Sequence, residues 1–204
     1  MFITFEGGEG SGKTTIIEKL YQELKNLGHK VISTREPGGS KISEQIRKIL
    51  LDNNNTNIKY HTEALLFAAS RAQHIDEVII PNLDKIILCD RYLDSSIAYQ
   101  AYGRDLGLDY VSKINSYALK YMPNLTFFID LKPEIGLDRV SQKRSNKKDR
   151  LDKELSLFHD KVYLGYQQIA KDNPKRVFVI DGTLSIDEIY KITLNEILKR
   201  LWTK

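Results

Sequence analysis

The segment EGGEGSGKTT, Glu6 to Thr15, carries the densest chemical signal in the chain. Gly7, followed after four residues by Gly12, Lys13 and Thr14, has the spacing of a phosphate-binding loop, placed after an apolar run and before a helical pattern, as such a loop requires. Glycines let backbone N–H groups turn inward around oxygen atoms, and a helix starting at Lys13 adds its positive end. Gly7, Gly8, Gly10, Ser11, Gly12, Lys13, Thr14 and Thr15 are therefore expected to hold the phosphates of ATP. Lys13 would reach the β and γ groups, and the Thr14 hydroxyl would ligate Mg²⁺. Glu9 is the anomaly, a carboxylate planted where it should repel phosphate.

Further along, ILCDRY closes an apolar run with Asp90 and Arg91. A carboxylate at that position can hold the metal's water shell, and an adjacent guanidinium can grip a phosphate in bidentate fashion. TREPGGS, Thr34 to Ser40, puts Arg35 at the end of another run, and Arg47 follows on the next helical pattern. In LLFAASR, Phe67 and Arg71 are four apart and share a helix face, a ring to stack on a planar base and a guanidinium to donate to its carbonyl. DSSIAYQAYGR adds Ser96, Tyr99, Gln100 and Arg104 within about two and a half turns of a regular helix. The densest basic run, Arg139 to Lys153, contains Arg139, Lys143, Arg144, Lys147, Lys148, Arg150 and Lys153.

A phosphate loop identifies a nucleotide and not a task. NKKD, Asn146 to Asp149, matches the guanine-reading pattern of GTP-dependent switches, but it follows RVSQKRS and not an apolar strand. A motor or helicase ATPase needs an Asp-Glu pair ending a strand to polarise water, and the chain has none. What remains is a small kinase that passes a phosphoryl group to a bound acceptor.

These groups need elements to hold them in place. FITF (Phe2 to Phe5), KVIST (Lys30 to Thr34), KIILC (Lys85 to Cys89), LTFFI (Leu125 to Ile129) and RVFVI (Arg176 to Ile180) read as strands buried on both faces. Between and after them, Ile16, Leu20, Leu24 and Leu27, then Ile186, Ile189, Thr193 and Ile197, fall at helical spacing. Such alternation predicts an α/β fold with a parallel sheet, whose ligands gather at the carboxyl ends of the strands. LLDNNNTNIKY, Leu50 to Tyr60, reads as a polar loop. The 204 residues suit one domain spanning 1–204.

With 41% hydrophobic and 28% charged residues the composition is that of a soluble globular protein, and no run approaches the ~18–20 apolar residues that span a bilayer. The net charge of +4 is mild and suits nucleic acid or a phosphorylated small molecule equally; it is the kinase reading that leaves neither a nucleic-acid nor a membrane partner expected. No secretory signal is read at the N-terminus, and a single cysteine, Cys89, forms no internal disulfide, so a cytoplasmic location is expected.

Taken in order, FITFEGGEGSGKTT, TREPGGS, LLFAASR, CDRYLDSSIAYQAYGR, NLTFFIDLKPEIGLDR and DRLDKE resemble the bacterial thymidylate kinases over nearly the whole chain. That resemblance implies a P-loop NTPase fold with a five-stranded parallel sheet and a mobile basic lid near residues 141–153. It also implies transfer of the ATP γ-phosphoryl group to dTMP, with Mg²⁺, in a homodimer; apolar helix faces from Leu65 to Ile80 and around Ile97 are candidates for the interface. Carried over by position, Phe67 stacks on thymine, and Arg71, Ser96 and Gln100 hydrogen-bond its edge. Tyr99 lies against the sugar's 2′ side, Glu9 looks to the 3′ hydroxyl, and Arg35, Arg47 and Arg91 hold the acceptor phosphate. Arg150 and Arg144 are the lid arginines that meet the transferring phosphoryl, Arg139 lies against adenine, and a cis peptide precedes Pro37.

Overall fold

In the computed structural model, which describes residues 1–144 and 149–202 and only the backbone of Lys143 and Arg144, each apolar run becomes a strand. The strands are β1 (Phe2–Glu6), β2 (Val31–Arg35), β3 (Ile86–Asp90), β4 (Leu125–Asp130) and β5 (Val177–Asp181). Every strand continues one residue past its apolar run and ends on a charged side chain: Glu6, Arg35, Asp90, Asp130 or Asp181. The carboxyl edge of the sheet is therefore polar where the ligand site must lie.

All pairings are parallel, in the order β2-β3-β1-β4-β5, with Ile3 opposite both Leu88 and Leu125. The connections include α1 (Lys13–Asn26), α2 (Lys41–Leu51), α3 (Tyr60–His74), α4 (Leu93–Ser96), α5 (Leu108–Ile114), α6 (Pro133–Arg144), α7 (Ser156–Asp172) and α8 (Ile186–Trp202). On one face of the sheet, Ile16, Leu20 and Leu24 of α1 and Ile189 and Ile197 of α8 pack on Ile3, Phe5, Leu88 and Phe127. On the other, Phe158, Val162, Tyr166 and Ile169 of α7 cover Phe128 and Val177, while Ile75, Ile79 and Leu93 cover Phe2, Ile87 and Cys89.

Burial on both faces holds for β1, β3 and β4 and fails for β2, none of whose residues is fully buried, and for β5, where Val179 and Asp181 are exposed. They are the edges of the sheet, where less of each strand is covered. Leu27 also differs from its expected place: it caps the C-terminus of α1 and is half exposed. Beyond α4 the chain continues as a wide π turn, Ile97–Gly103, in place of a regular helix, closed by Arg104 N–H donating to the Tyr99 carbonyl at 2.9 Å. Close packing accompanies the widening: a Cβ on Gly103 would stand 2.7 Å from the Phe158 ring, and one on Gly165 would stand 3.1 Å from Ala98 Cα. No helix among the described residues is long and apolar enough to cross a membrane.

Candidate active site

A cavity of about 1330 Å³ lies at the carboxyl edge of the sheet, lined among others by Glu9–Thr15, Phe67 and Gln100. That exceeds the roughly 300–1,000 Å³ typical of a site for one small ligand.

In the glycine loop, Gly7, Gly10 and Gly12 take φ of 140°, 68° and 89°, a region open to glycine and costly for other residues. Lys13 is folded back into the loop, its Nζ donating to the carbonyls of Gly7 (3.0 Å) and Gly8 (2.9 Å) and to Ser11 Oγ (3.1 Å). Burial, followed by the proximity of Arg91, lowers its pKa to about 8. Thr14 Oγ1 donates to Asp90 Oδ2 at 2.8 Å, so the two oxygen groups assigned to the metal lie side by side. Both are hard oxygen donors, Thr14 at the start of α1 and Asp90 at the end of β3, the type Mg²⁺ accepts.

Glu9 proves to be neutralised inside the protein. Its Oε1 accepts from Arg91 Nη2 at 2.6 Å and from the Tyr99 hydroxyl at 2.8 Å. Burial alone would raise its pKa, but Arg91 and Lys13 outweigh it and hold the carboxyl at about 2. The acid therefore enters the loop with its countercharge attached. Arg91 is itself fixed at a left-handed φ of 69° and also donates to the hydroxyls of Ser95 and Tyr166.

Arg35, Arg47 and Arg91 all line the cavity. Arg35 forks onto Glu44 with Nη2 at 2.9 and 3.0 Å from the two carboxylate oxygens, and Arg47 donates to the Pro37 carbonyl at 2.8 Å. The Glu36–Pro37 peptide between them is cis.

Phe67, Ser96, Tyr99 and Gln100 also line the cavity. Arg71 lies beneath them and is buried. Four of its bonds go to protein: Nε to Glu36 (2.7 Å), Nη1 to Ser96 Oγ (3.0 Å) and Asn115 Oδ1 (2.6 Å), and Nη2 to the Tyr92 carbonyl (3.1 Å). A guanidinium has five N–H groups, so one hydrogen on Nη2 is left over.

The basic segment divides. Arg139 donates to the Gly182 carbonyl at 3.2 Å and lines the cavity beside the turn Thr183–Ser185 that follows β5. The side chain of Arg144 lies outside the described residues, as do Asn146, Lys147 and Lys148 of NKKD. Arg150 is not among the residues that line the cavity. Its Nε donates to the Leu50 carbonyl at 3.0 Å and its Nη2 to Glu63 Oε2 at 2.6 Å, because Glu63 is a fully buried carboxylate that needs cationic partners. In this arrangement Arg150 fastens its own segment to α2 and α3.

Several site residues escaped the sequence reading. Gly136 of α6 lies backbone to backbone on the phosphate loop, where its Cβ would come within 2.1 Å of the Glu9 carbonyl oxygen. Glu6 is buried and accepts from Tyr92 N–H (2.7 Å), Ser95 Oγ (2.6 Å) and the Tyr166 hydroxyl (2.9 Å). Burial, then the nearby Asp94, raises its pKa to about 7. The turn Thr183–Ser185 was legible in principle, since it follows the carboxyl end of a strand.

One cavity thus gathers a glycine loop of phosphate-binding spacing, the Thr14–Asp90 pair, three arginines and Phe67, a combination that fits the P-loop nucleoside monophosphate kinases. Comparison with known proteins narrows the class. The family profile described as thymidylate kinase matches residues 5–192. The thymidylate kinase of Acholeplasma laidlawii (strain PG-8A) is 65% identical over 201 residues, covering 98% of this chain and 100% of that protein. That of Aster yellows witches'-broom phytoplasma (strain AYWB) is 50% identical, covering 94% of each. The crystal structure of thymidylate kinase from Ehrlichia chaffeensis superposes with a TM-score of 0.77 at 32% identity, covering 98% of both chains. The chain belongs to the thymidylate kinase family, the ATP-dependent dTMP kinases.

Proposed function

We propose that this chain transfers the γ-phosphoryl group of ATP to dTMP, giving dTDP and ADP, and that the long cavity holds the two nucleotides end to end. The observation that carries the reading is the set of groups that line one cavity: the phosphate loop with Lys13, the arginines Arg35, Arg47 and Arg91, and Phe67, Ser96 and Gln100.

Gly7 through Thr15 wrap the ATP phosphates, with Lys13 exchanging its loop carbonyls for β and γ oxygens, and Arg139 lies against adenine beside Thr183. Thr14 and Asp90 are the residues that would hold Mg²⁺. The ion supplies charge neutralisation of the phosphate oxygens when bound. At the acceptor end Phe67 stacks on thymine, the remaining Nη2 hydrogen of Arg71 meets a ring carbonyl, and Gln100 and Ser96 complete the edge. Tyr99 bounds the sugar's 2′ side, and Glu9 faces its 3′ hydroxyl while keeping Arg91 aligned. Arg91, with Arg35 and Arg47, grips the acceptor phosphate for in-line attack.

Catalysis by this arrangement is positioning plus charge stabilisation, and no general base is called for. The acceptor phosphate, with a second pKa near ~6 by analogy with a phosphoserine, is already largely ionised at neutral pH. With Arg150 bonded to Glu63, Arg144 is the lid arginine left to meet the transferring oxygens. Lid closure over the site excludes water that would otherwise take the phosphoryl group.

The reading extends to a homodimer acting in the cytoplasm. Ile75 and Ile79 belong to the chain's own core, which leaves Leu65 as the exposed large apolar side chain of the expected face. A coupled ADP-release assay across dTMP, dUMP, AMP, GMP and CMP tests the activity. Turnover should be greatest with dTMP; preference for a purine monophosphate, or ATP binding without product, refutes the proposal.

A further inference from the structure

Beneath the aromatic pocket lies a carboxylate that does not line the cavity. Glu63 of α3 is fully buried, and four donors converge on it. Its Oε1 accepts from Gln100 Nε2 (3.1 Å) and Arg104 Nε (3.1 Å), and its Oε2 from Nη2 of Arg104 (3.0 Å) and of Arg150 (2.6 Å). Burial would raise the pKa of Glu63, yet the two guanidinium groups outweigh that and lower it, so the group stays ionised. An ionised carboxylate only accepts hydrogen bonds.

That one-sidedness determines Gln100. A carboxamide has a donating end and an accepting end, and only the NH₂ end can face Glu63. Gln100 lines the cavity, and no donor among the described residues reaches its Oε1. We propose that Glu63 sets the hydrogen-bond polarity of the base pocket: by holding Gln100 Nε2 it turns Oε1 to the ligand. The pocket then takes a ring edge that donates, the N3–H of thymine or uracil, and rejects the unprotonated N3 of cytosine. Glu63 touches no substrate and is a positioning residue that determines specificity. The inference rests on the reading that the base lies at Phe67.

Glu63→Gln is the informative change, because the new carboxamide must choose which oxygen position to keep. Two guanidinium donors face the Oε2 position and one faces Oε1, so the oxygen of the introduced carboxamide stays with Arg104 and Arg150 Nη2. Its NH₂ then meets Gln100, which must turn over and present its own NH₂ to the cavity.

The experiment measures kcat/KM for dTMP and the inhibition constant of dCMP in wild type, E63Q and R150A. In E63Q the discrimination in favour of dTMP should fall roughly 10-fold or more, the effect of a mismatched buried polar pair. General loosening of the pocket would instead weaken both ligands in proportion. R150A disturbs the same cluster and leaves the Glu63–Gln100 bond, so its discrimination should match wild type whatever its turnover. Unchanged discrimination in folded E63Q overturns the role of Glu63 while leaving the kinase reading intact. Failure of the wild-type protein to phosphorylate dTMP removes the reading itself. Should E63Q not fold, the Gln100 side-chain amide is followed by NMR in wild type, assigned by its loss in Q100M. One amide proton should exchange slowly and stay bonded when dTMP is added; exchange of both at the free-solvent rate overturns the proposal.

Discussion

Gly136→Ala pits two physical effects of opposite sign against each other. Gly136 sits in the first turns of α6, and helix propensity alone favours alanine there by about 1 kcal/mol. The added Cβ, however, would lie 2.1 Å from the Glu9 carbonyl oxygen, where ordinary contact begins at 3.4 Å. Both partners are backbone, so no side chain can swing aside. The loop and α6 must separate by about 1 Å, and a displacement of that size can cost on the order of 10² in rate. In transition-state terms that is about 2.7 kcal/mol. Overpacking should also lower stability by roughly 1–3 kcal/mol, reversing the propensity gain. Steady-state kinetics with dTMP and ATP, alongside thermal unfolding, should give a clear fall in kcat and a lower Tm. A variant with wild-type kcat and a raised Tm would show that the Glu9–Gly136 contact does not position the loop.

Lys13, with a pKa near 8 in the free enzyme, loses its charge as pH rises through that value, while triphosphate oxygens favour the charged form. ATP binding at pH 9 should therefore take up a proton, seen as a buffer-dependent calorimetric enthalpy, and Lys13→Met should abolish the dependence. The Glu9 carboxyl, held at about 2 in the folded chain, contributes stability that is complete above its unfolded value of 4.5 and is lost as pH falls below it. Thermal melts from pH 6 to pH 3 should show Glu9→Gln with a shallower acid-side decline than wild type; parallel curves would exclude this linkage. Arg71→Met leaves Glu36 buried with His74 as its other ionisable partner, so stability should drop by about 3–5 kcal/mol while dTMP binding weakens. Urea titration together with dTMP calorimetry checks both, and wild-type affinity would remove Arg71 from the base pocket.

Much of this was readable before any coordinates. The five strands announce themselves as apolar runs because helices cover the central three on both faces, and the glycine loop is legible because its function depends on local backbone shape. Edge positions are not: KVIST and RVFVI resemble buried strands although one flank of each has no neighbouring strand. The π turn at Ile97–Gly103 also escapes, since close contacts with Phe158 and Gly165 accompany it while its own residues read as ordinary helix. Arg150 stands in a run whose composition suggests phosphate, and nothing local reveals that Glu63, 87 residues earlier, is its partner. Gly136 is hidden for the same reason, because the need for glycine there lies in a loop more than a hundred positions away. Pattern within a window carries backbone chemistry well and carries the pairing of distant side chains poorly.

Glu6 has a wider consequence. It closes the strand that launches the phosphate loop, yet its three donors come from Tyr92 and Ser95 beside Arg91 and from Tyr166 on α7. One buried carboxylate thus rivets the start of the glycine loop to the Tyr92–Ser95 segment and to α7, and any motion that parts them must break these three bonds.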